Sequence, residues 1–191
     1  HQYSKVGAWN CNTTRLWVTN RDSTPSIVFL DASTLQPQNL PAFSCNEFRW
    51  HPTDPDLIYA AIGNQLVRRN VVTGAQTVIY TATGYASAAI GPGEGNISDD
   101  GRWLVLGCGQ GSWPDPPTGC ILVDLQAGTG TPIPATGYGH VDWATISPSG
   151  NYIVVNGGVT VGAPDRTKVF NRATGAIVGT EWSDYGRPSH Y

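Results

Sequence analysis

The feature of this 191-residue sequence that most limits its fold is an internal repeat that occurs four times. In each copy a strand-like run meets a polar turn, an apolar run follows, and a further run ends in Asp or Asn before another turn. The first turns begin at Asn10, His51, Ser98 and Ser147. These starts lie 41, 47 and 49 residues apart, which is the spacing expected of small structural units that stack on one another.

The runs inside each copy have the composition of β-strands. The run after the first turn is rich in β-branched and aromatic residues, as in Tyr152-Ile153-Val154-Val155. The next run ends in a residue whose side chain can accept hydrogen bonds from the backbone that follows it. These residues are Asp31, Asn70, Asp124 and Asn171. In three copies a glycine four residues later can supply a positive φ angle, so we predict a hairpin between a third and a fourth strand.

A repeat of this length with four antiparallel strands predicts an all-β fold, a β-propeller of four-stranded antiparallel blades that stack face to face. The turns Ser98-Asp99-Asp100-Gly101 and Ser147-Pro148-Ser149-Gly150 resemble the Ser-Pro-Asp-Gly turn of WD40-like and TolB-like β-propellers. The resemblance covers essentially the whole chain. It implies a propeller and says little about function, because propellers host many activities.

The repeat boundaries predict a single propeller domain, or a segment of one, over residues 1–191. The four blades are predicted at approximately 1–40, 41–84, 85–136 and 137–184. Residues 185–191 are interpreted as the start of a further blade, and we favour a segment of a larger propeller, for example one of seven blades. The alternative is an intact four-bladed ring that residues 185–191 close beside the first blade.

Several features favour a secreted protein. The chain contains no Met and opens with His1, as expected of a processed or truncated product. Asn12 and Asn96 begin N-glycosylation sequons, which fits an extracellular surface.

The four cysteines support the same interpretation. Cys108 and Cys120 flank a loop rich in Gly and Pro, and we predict that they form a disulfide bond. Cys11 and Cys45 then form the second predicted pair. The alternative is four buried free thiols in a cytosolic protein.

Charge and hydropathy limit the class of partner. Eleven Lys and Arg residues face 14 Asp and Glu residues, for a formal net charge of -3, so binding of nucleic acid is not expected. No apolar run reaches the roughly 20 residues of a membrane-spanning helix, and membrane insertion is not expected. The predicted partner is an acidic polysaccharide or another protein, and assembly with further blades or subunits is consistent with the repeat.

The candidate functional residues lie in the first strand of each blade, predicted at 46–51, 91–96 and 138–143, and at the chain ends. His140 and His190 can exchange protons near neutral pH, Tyr191 or Tyr138 can take the complementary role, and arginine can clamp a carboxylate. These groups suit β-elimination at a uronic acid. The chain resembles secreted propeller polysaccharide lyases of the ulvan lyase type, which implies a catalytic role for four residues. They are His140, His190, Tyr191 and Arg187.

Substrate-binding residues are predicted on the same strands and on the loop between the two cysteines. They are Arg49, Glu94, Trp113 and Tyr138, where arginine suits a carboxylate and an exposed indole suits a sugar ring. No metal ion and no cofactor is predicted, because no set of residues has the spacing of a metal site.

Two functions follow from these residues. The first is an extracellular propeller that binds an acidic polysaccharide and cleaves it by β-elimination. The second is a non-catalytic extracellular interaction or structural module, in which His140 and Asp142 serve packing between strands and His51 only satisfies the backbone of its turn.

Overall fold

A computed structural model describes residues 7–19, 27–91, 95–112, 114–134, 137–160 and 165–183. These residues form fourteen β-strands and no helix. The strands are β1 (Arg15–Thr19), β2 (Ile27–Asp31), β3 (Glu47–Trp50), β4 (Leu57–Ile62), β5 (Gln65–Asn70), β6 (Gln76–Thr81), β7 (Ser87–Ile90), β8 (Trp103–Gly109), β9 (Gly119–Asp124), β10 (Thr129–Ile133), β11 (His140–Ile146), β12 (Tyr152–Gly158), β13 (Arg166–Asn171) and β14 (Trp182–Ser183).

Consecutive strands pair antiparallel within each sheet. Strands β3 to β6, β7 to β10 and β11 to β14 form three four-stranded sheets, and β1 pairs with β2. Single bridges from Trp9 to Leu16 and from Leu30 to Pro37 mark the positions of a first and a fourth strand beside the β1–β2 pair. We call the four units blade 1 to blade 4 in chain order. The predicted fold class, all-β with four-stranded antiparallel blades, is confirmed.

The four copies of the first turn have the same backbone hydrogen bond. The amide of the first turn residue donates to the carbonyl at the start of the following strand, at 2.8 to 3.0 Å in all four blades. The donors are Asn10, His51, Ser98 and Ser147, the residues that define the repeat in the sequence. The His51 ring accepts from the amides of Thr53 and Asp54, as expected for a histidine that satisfies its own turn.

The turns after the third strands are also equivalent. In each, the terminal Asp or Asn accepts hydrogen bonds from the amides two and three residues later. The fifth residue of the turn has a positive φ angle, which glycine adopts without strain in blades 2, 3 and 4. In blade 1 that residue is Leu35, with a φ of 57°.

The core consists of three apolar layers, one between each pair of successive blades. Phe29 of blade 1 packs against Trp50 of blade 2, with ring centroids 5.4 Å apart. Leu66 of blade 2 and Leu104 of blade 3 belong to the second layer, and Phe170 of blade 4 belongs to the third. Complete burial of such side chains contributes roughly 1.5 to 3 kcal/mol each, so stacking of the blades is the main source of stability.

The two predicted disulfide bonds are not formed, and all four cysteines are free thiols. Cys120 pairs with Gly107 and Cys108 pairs with Gly119, so the two cysteines are one residue out of register. Successive side chains of a strand point to opposite faces, and the two sulfur atoms therefore lie on opposite faces of blade 3. Cys11 is exposed, whereas Cys45 packs against the layer between blades 1 and 2.

The first strand of blade 3 differs from the prediction of 91–96. Strand β7 ends at Ile90, and the chain turns at Gly91, which has a φ of 55°. Among the described residues that follow, Ile97 bridges to Leu104. Glycine adopts a positive φ angle without strain, which suits the turn at Gly91. Among the described residues, no helix long and apolar enough to cross a membrane is found.

Candidate functional site

The two ends of the blades differ in their connections. At one end, which we call the turn end, lie the hairpins within each blade that repeat with the same hydrogen bonds. At the other end, the loop end, the second and third strands are joined by segments of very different length. They are residues 20–26, 63–64, 110–118 and 159–165. Loops that differ in length from blade to blade, on strands that stay the same, are typical of binding surfaces. The loop end is therefore the candidate functional surface.

The β8–β9 loop is held in place at the junction of blades 3 and 4. Ser87 donates its hydroxyl to the carbonyl of Gly111 at 2.7 Å, and the amide of Val141 in blade 4 donates to the carbonyl of Pro117 at 2.7 Å. The loop is thus attached to both blades. Trp113, predicted to bind a sugar, belongs to this loop and lies outside the described residues.

His140 begins β11 at the loop end of blade 4. Its Nε2 atom is 3.5 Å from Oδ1 of Asp165, and its side chain is 13% exposed. Within the described residues its buried Nδ1 atom has no hydrogen-bond partner. A Cβ atom at Gly158 would lie 2.8 Å from the His140 ring, so glycine at this position makes room for the ring. The ring therefore lies against Asp165 through Nε2, while its other nitrogen atom is buried without a partner among the described residues.

Tyr138 lies beside a group of charged residues at the same end. Its hydroxyl donates to the carbonyl of Arg166 at 2.7 Å, and Nζ of Lys168 is 4.5 Å from the centre of its ring. Burial raises the pKa of Tyr138, so the phenol keeps its proton at neutral pH. Glu181 accepts from Lys168 at 3.0 Å and from Arg166 at 2.9 Å, and these bonds lower its pKa.

Arg49 lies between blades 2 and 3. Its guanidinium donates to the carbonyls of Gly95, Phe48 and Ile90, and Glu47 lies 3.7 Å away. Burial lowers the pKa of Arg49. This arginine, predicted to clamp a substrate carboxylate, therefore binds backbone carbonyls of the chain and links the two blades.

Of the predicted catalytic and substrate-binding residues, the described part of the chain contains Arg49, Tyr138 and His140, and it does not bring them together: Tyr138 contacts Arg166 and Lys168, whereas His140 pairs with Asp165. Five others lie outside the described residues, namely Glu94, Trp113, Arg187, His190 and Tyr191. Asn12 and Asn96 are exposed, and their glycosylation stays a prediction. No group of three or more potential metal ligands among His, Cys, Asp and Glu occurs within the described parts of the chain.

Sequence reasoning missed Asp165, Lys168 and Glu181. Asp165 and Lys168 flank the start of β13, and Glu181 directly precedes β14. Their role at the site depends on the pairing of β13 with its neighbours, which aligns Arg166 with Gly157 and Ser183. The alternation of polar and apolar residues marks strand faces, but it does not identify which strand ends meet.

Comparison with known proteins supports the fold. No protein-family model and no curated protein matches the chain. Among solved structures, TolB from Agrobacterium tumefaciens aligns with a TM-score of 0.64 at 15% identity, over 91% of this chain and 60% of that one. Hydrazine synthase from Kuenenia stuttgartiensis aligns with a TM-score of 0.63 at 16% identity, over 96% of this chain and 51% of that one.

The Swd1 β-propeller domain from Myceliophteria thermophila aligns with a TM-score of 0.58 at 13% identity, over 93% of this chain and 56% of that one. The chain therefore spans between about half and 60% of the length of these three structures. The similarity establishes a β-propeller architecture.

Proposed function

We propose that this chain is a non-catalytic β-propeller interaction module that binds its partner at the loop end. The observation that carries the proposal is the contrast between the two ends. The turn end repeats one hydrogen-bond pattern in four blades, whereas connections at the loop end range from residues 63–64 to residues 110–118. Loops of unequal length on a uniform scaffold give a protein a surface with its own shape, which suits recognition of one partner.

The side-chain contacts favour binding over catalysis. The guanidinium of Arg49 is buried against backbone carbonyls, and the Tyr138 hydroxyl donates to the Arg166 carbonyl. Glu181 accepts hydrogen bonds from both Lys168 and Arg166. These groups are engaged in contacts that stabilise the blades. A catalytic site would need an acid or base that is free to act on a substrate, whereas an interaction module does not.

Selection of displayed peptides on the purified chain tests this function. We expect enriched peptides to lose at least tenfold in affinity for Val159→Asp, because Val159 is an exposed apolar residue at the loop end. The matched control is Val72→Asp, which changes an exposed valine at the turn end. Peptides that bind both variants like the unmodified chain would exclude the loop end as the binding surface.

A second candidate function is binding of an acidic polysaccharide at the same end, with cleavage by β-elimination. It is favoured by the position of His140 at the loop end, where its ring lies 3.5 Å from Asp165 and its Nδ1 atom has no hydrogen-bond partner within the described residues. The chain leaves β14 at Ser183, which pairs with Arg166, and Arg187 follows four residues later in the sequence. An extracellular location forms part of this candidate.

In that reaction a base removes the C5 proton of a uronic acid. The electron pair of the C–H bond forms the C4–C5 double bond, the C4–O bond breaks, and the leaving oxygen takes a proton from an acid. His140 in its neutral form would be the base. Tyr138, whose pKa is raised by burial, is suited to donate a proton and not to remove one.

The polysaccharide candidate is tested with ulvan, pectate and alginate. Cleavage by elimination produces an unsaturated uronate that absorbs in the ultraviolet, and His140→Gln should remove this signal without a change in melting temperature. His51→Gln, a histidine at the turn end, is the control and should keep it. Absence of product with all three substrates would leave the interaction module as the function.

A further inference from the structure

The β8–β9 loop at the loop end of blade 3 is a compact loop whose two ends meet. Cys108 pairs with Gly119, and the amide of Thr118 donates to the carbonyl of Cys108 at 2.9 Å. Surface loops of about 6 to 16 residues with adjoining ends are frequently functional. The β8–β9 loop therefore has the form of a recognition element and not only of a connection.

Several contacts fix the shape of this loop. Hydrogen bonds from Ser87 and Val141 attach it to blades 3 and 4, and inside it the amide of Asp115 donates to the carbonyl of Ser112 at 2.9 Å. Three of its residues have a φ angle fixed by the proline ring, namely Pro114, Pro116 and Pro117. A loop held in this way loses little conformational entropy when a partner binds, so its exposed groups are already in position for recognition.

Asp115 is an exposed residue of the loop, and its carboxylate has a fixed place. A Cβ atom at Gly111 would overlap Oδ2 of Asp115, so the carboxylate occupies the space that a side chain at position 111 would fill. Gly111 is itself held, because its carbonyl accepts the hydroxyl of Ser87. The loop thus presents one negative charge at a defined position.

The Asp115 carboxylate has no hydrogen-bond or ion-pair partner among the described residues. Two other acidic groups at this end are engaged within the chain. Asp165 lies 3.5 Å from His140, and Glu181 binds two cations of β13. A carboxylate that is exposed, held in position and unpaired within the described chain is suited to bind a cation of another molecule.

An exposed apolar residue belongs to the neighbouring connection at the same end. The start of β11 touches both connections, since the amide of Val141 donates to the carbonyl of Pro117 in the β8–β9 loop. Two residues earlier, a Cβ atom at Gly139 would overlap the carbonyl of Val159, so the β12–β13 connection lies against the chain there. Val159 is 53% exposed. The surface around the start of β11 therefore combines a negative loop with an apolar one.

We propose that the β8–β9 loop gives the loop end its specificity, and that Asp115 binds a lysine or arginine side chain of a protein partner. This inference rests on the proposed interaction function and names the chemistry of its partner. The partner segment carries a basic residue for Asp115 close to an apolar residue for Val159. Charge complementarity selects this occupant, because an acidic polysaccharide would bring further negative charge to the Asp115 carboxylate.

The affinities of selected peptides test the role of Asp115. The probes are displayed random peptides that bind the full chain and lose affinity for Val159→Asp, so only binders of the loop end are compared. We expect these peptides to be enriched in Arg or Lys and to bind Asp115→Asn about tenfold more weakly at low salt. Asp99→Asn is the matched control and should bind them unchanged. Asp99 is exposed at the turn end, and its carboxylate also has no partner among the described residues.

Gly111→Ala moves the charge without removing it. The added methyl group would displace the Asp115 carboxylate, which is the end of a flexible side chain, and the backbone at Gly111 has no positive φ angle. We expect the affinity for the same peptides to fall, as for Asp115→Asn, with little change in melting temperature. Unchanged binding to Gly111→Ala would show that only net charge matters, and it would overturn the assignment of a fixed recognition group.

Reversal of both charges tests the direct pair. Asp115→Lys should prefer a peptide whose basic residue is replaced by Glu, whereas the unmodified chain should prefer the original peptide. If peptides of the loop end contain no basic residue, or bind Asp115→Asn like the unmodified chain, this inference is wrong and the interaction function stands. If no selected peptide loses affinity for Val159→Asp, the interaction function at the loop end is wrong as well.

Discussion

Cys108 and Cys120 lie on adjacent strands of blade 3 with their side chains on opposite faces of the sheet. Cys108 contributes to the layer between blades 2 and 3, and Cys120 contributes to the layer between blades 3 and 4. The one-residue offset in the β8–β9 register is enough to separate the sulfur atoms, because side chains alternate along a strand. A disulfide between them would require a shift of register that exposes the core residues of both strands.

All four thiols should therefore stay reduced, and the three that are not exposed should be unreactive in the folded protein. Burial raises the pKa of Cys108 to about 12 and that of Cys45 to about 12, so both are protonated at neutral pH and are poor nucleophiles. We expect iodoacetamide to modify only Cys11 in native buffer and all four cysteines in denaturant. Intact mass spectrometry measures both states. A native mass two hydrogens lower per bond, with alkylation only after reduction, would contradict the assignment.

Leu35→Gly should stabilise the protein by about 1 kcal/mol. Leu35 is the one residue with a side chain at the positive-φ position of the four equivalent turns, and it is exposed, so glycine relieves strain without loss of core contacts. The reverse change, Gly175→Ala, should destabilise by a similar amount, since a Cβ atom there meets nothing within 4 Å and only the backbone strain is added. Urea unfolding measures both effects, and equal midpoints for the three chains would refute this explanation.

Arg49→Met should reduce the free energy of unfolding by about 3 kcal/mol, because it removes the guanidinium that satisfies buried carbonyls and neutralises Glu47. Arg68→Met on strand β5 is the matched control. Its side chain is exposed, and the expected change is below about 0.5 kcal/mol. Chemical denaturation compares the two variants. Similar stabilities would mean that Arg49 does not hold blades 2 and 3 together and is available to a ligand.

Asp31 should make stability depend on pH in the acid range. Hydrogen bonds from the Ser33 hydroxyl and the Thr34 and Ser33 amides lower the pKa of Asp31 to about 2. Because the folded pKa lies below the unfolded value of about 3.9, this stabilisation is complete above pH 4 and is lost as the pH falls towards 2.

Asp31→Asn tests this pH dependence. Asn70 and Asn171 form the same turn, so the variant should fold and keep its hydrogen bonds to the backbone. Its melting temperature should fall less than that of the unmodified chain between pH 4 and pH 2. Parallel curves for the two proteins over this range would assign the acid sensitivity to other carboxyl groups.

The repeat was predictable because its signals are local. Asn10, His51, Ser98 and Ser147 bond to backbone within a few residues, and so do the Asp and Asn residues that end the third strands. A hydrogen bond over two to six residues depends on side-chain type and spacing, which are present in the sequence. The same reasoning assigned His51 to its turn correctly.

The candidate site was predictable only in part. His140 and Tyr138 were identified by residue type and by their place at or near the start of a strand, but strand pairings bring Asp165 to His140 and Glu181 to Lys168. Arg49 carries the side chain of a carboxylate clamp, yet its surroundings between two blades direct it to carbonyl groups.

The amino-acid sequence by itself determined the number of repeats, the strand order within each blade and the chemistry of the turns, because these depend on short-range spacing. Only the tertiary structure decided the register of β8 against β9, the burial of Arg49 and the exposure of Trp182 and Trp9. Each of these depends on which surfaces meet across distant parts of the chain, and a one-residue change in strand pairing moves a side chain to the other face of its sheet.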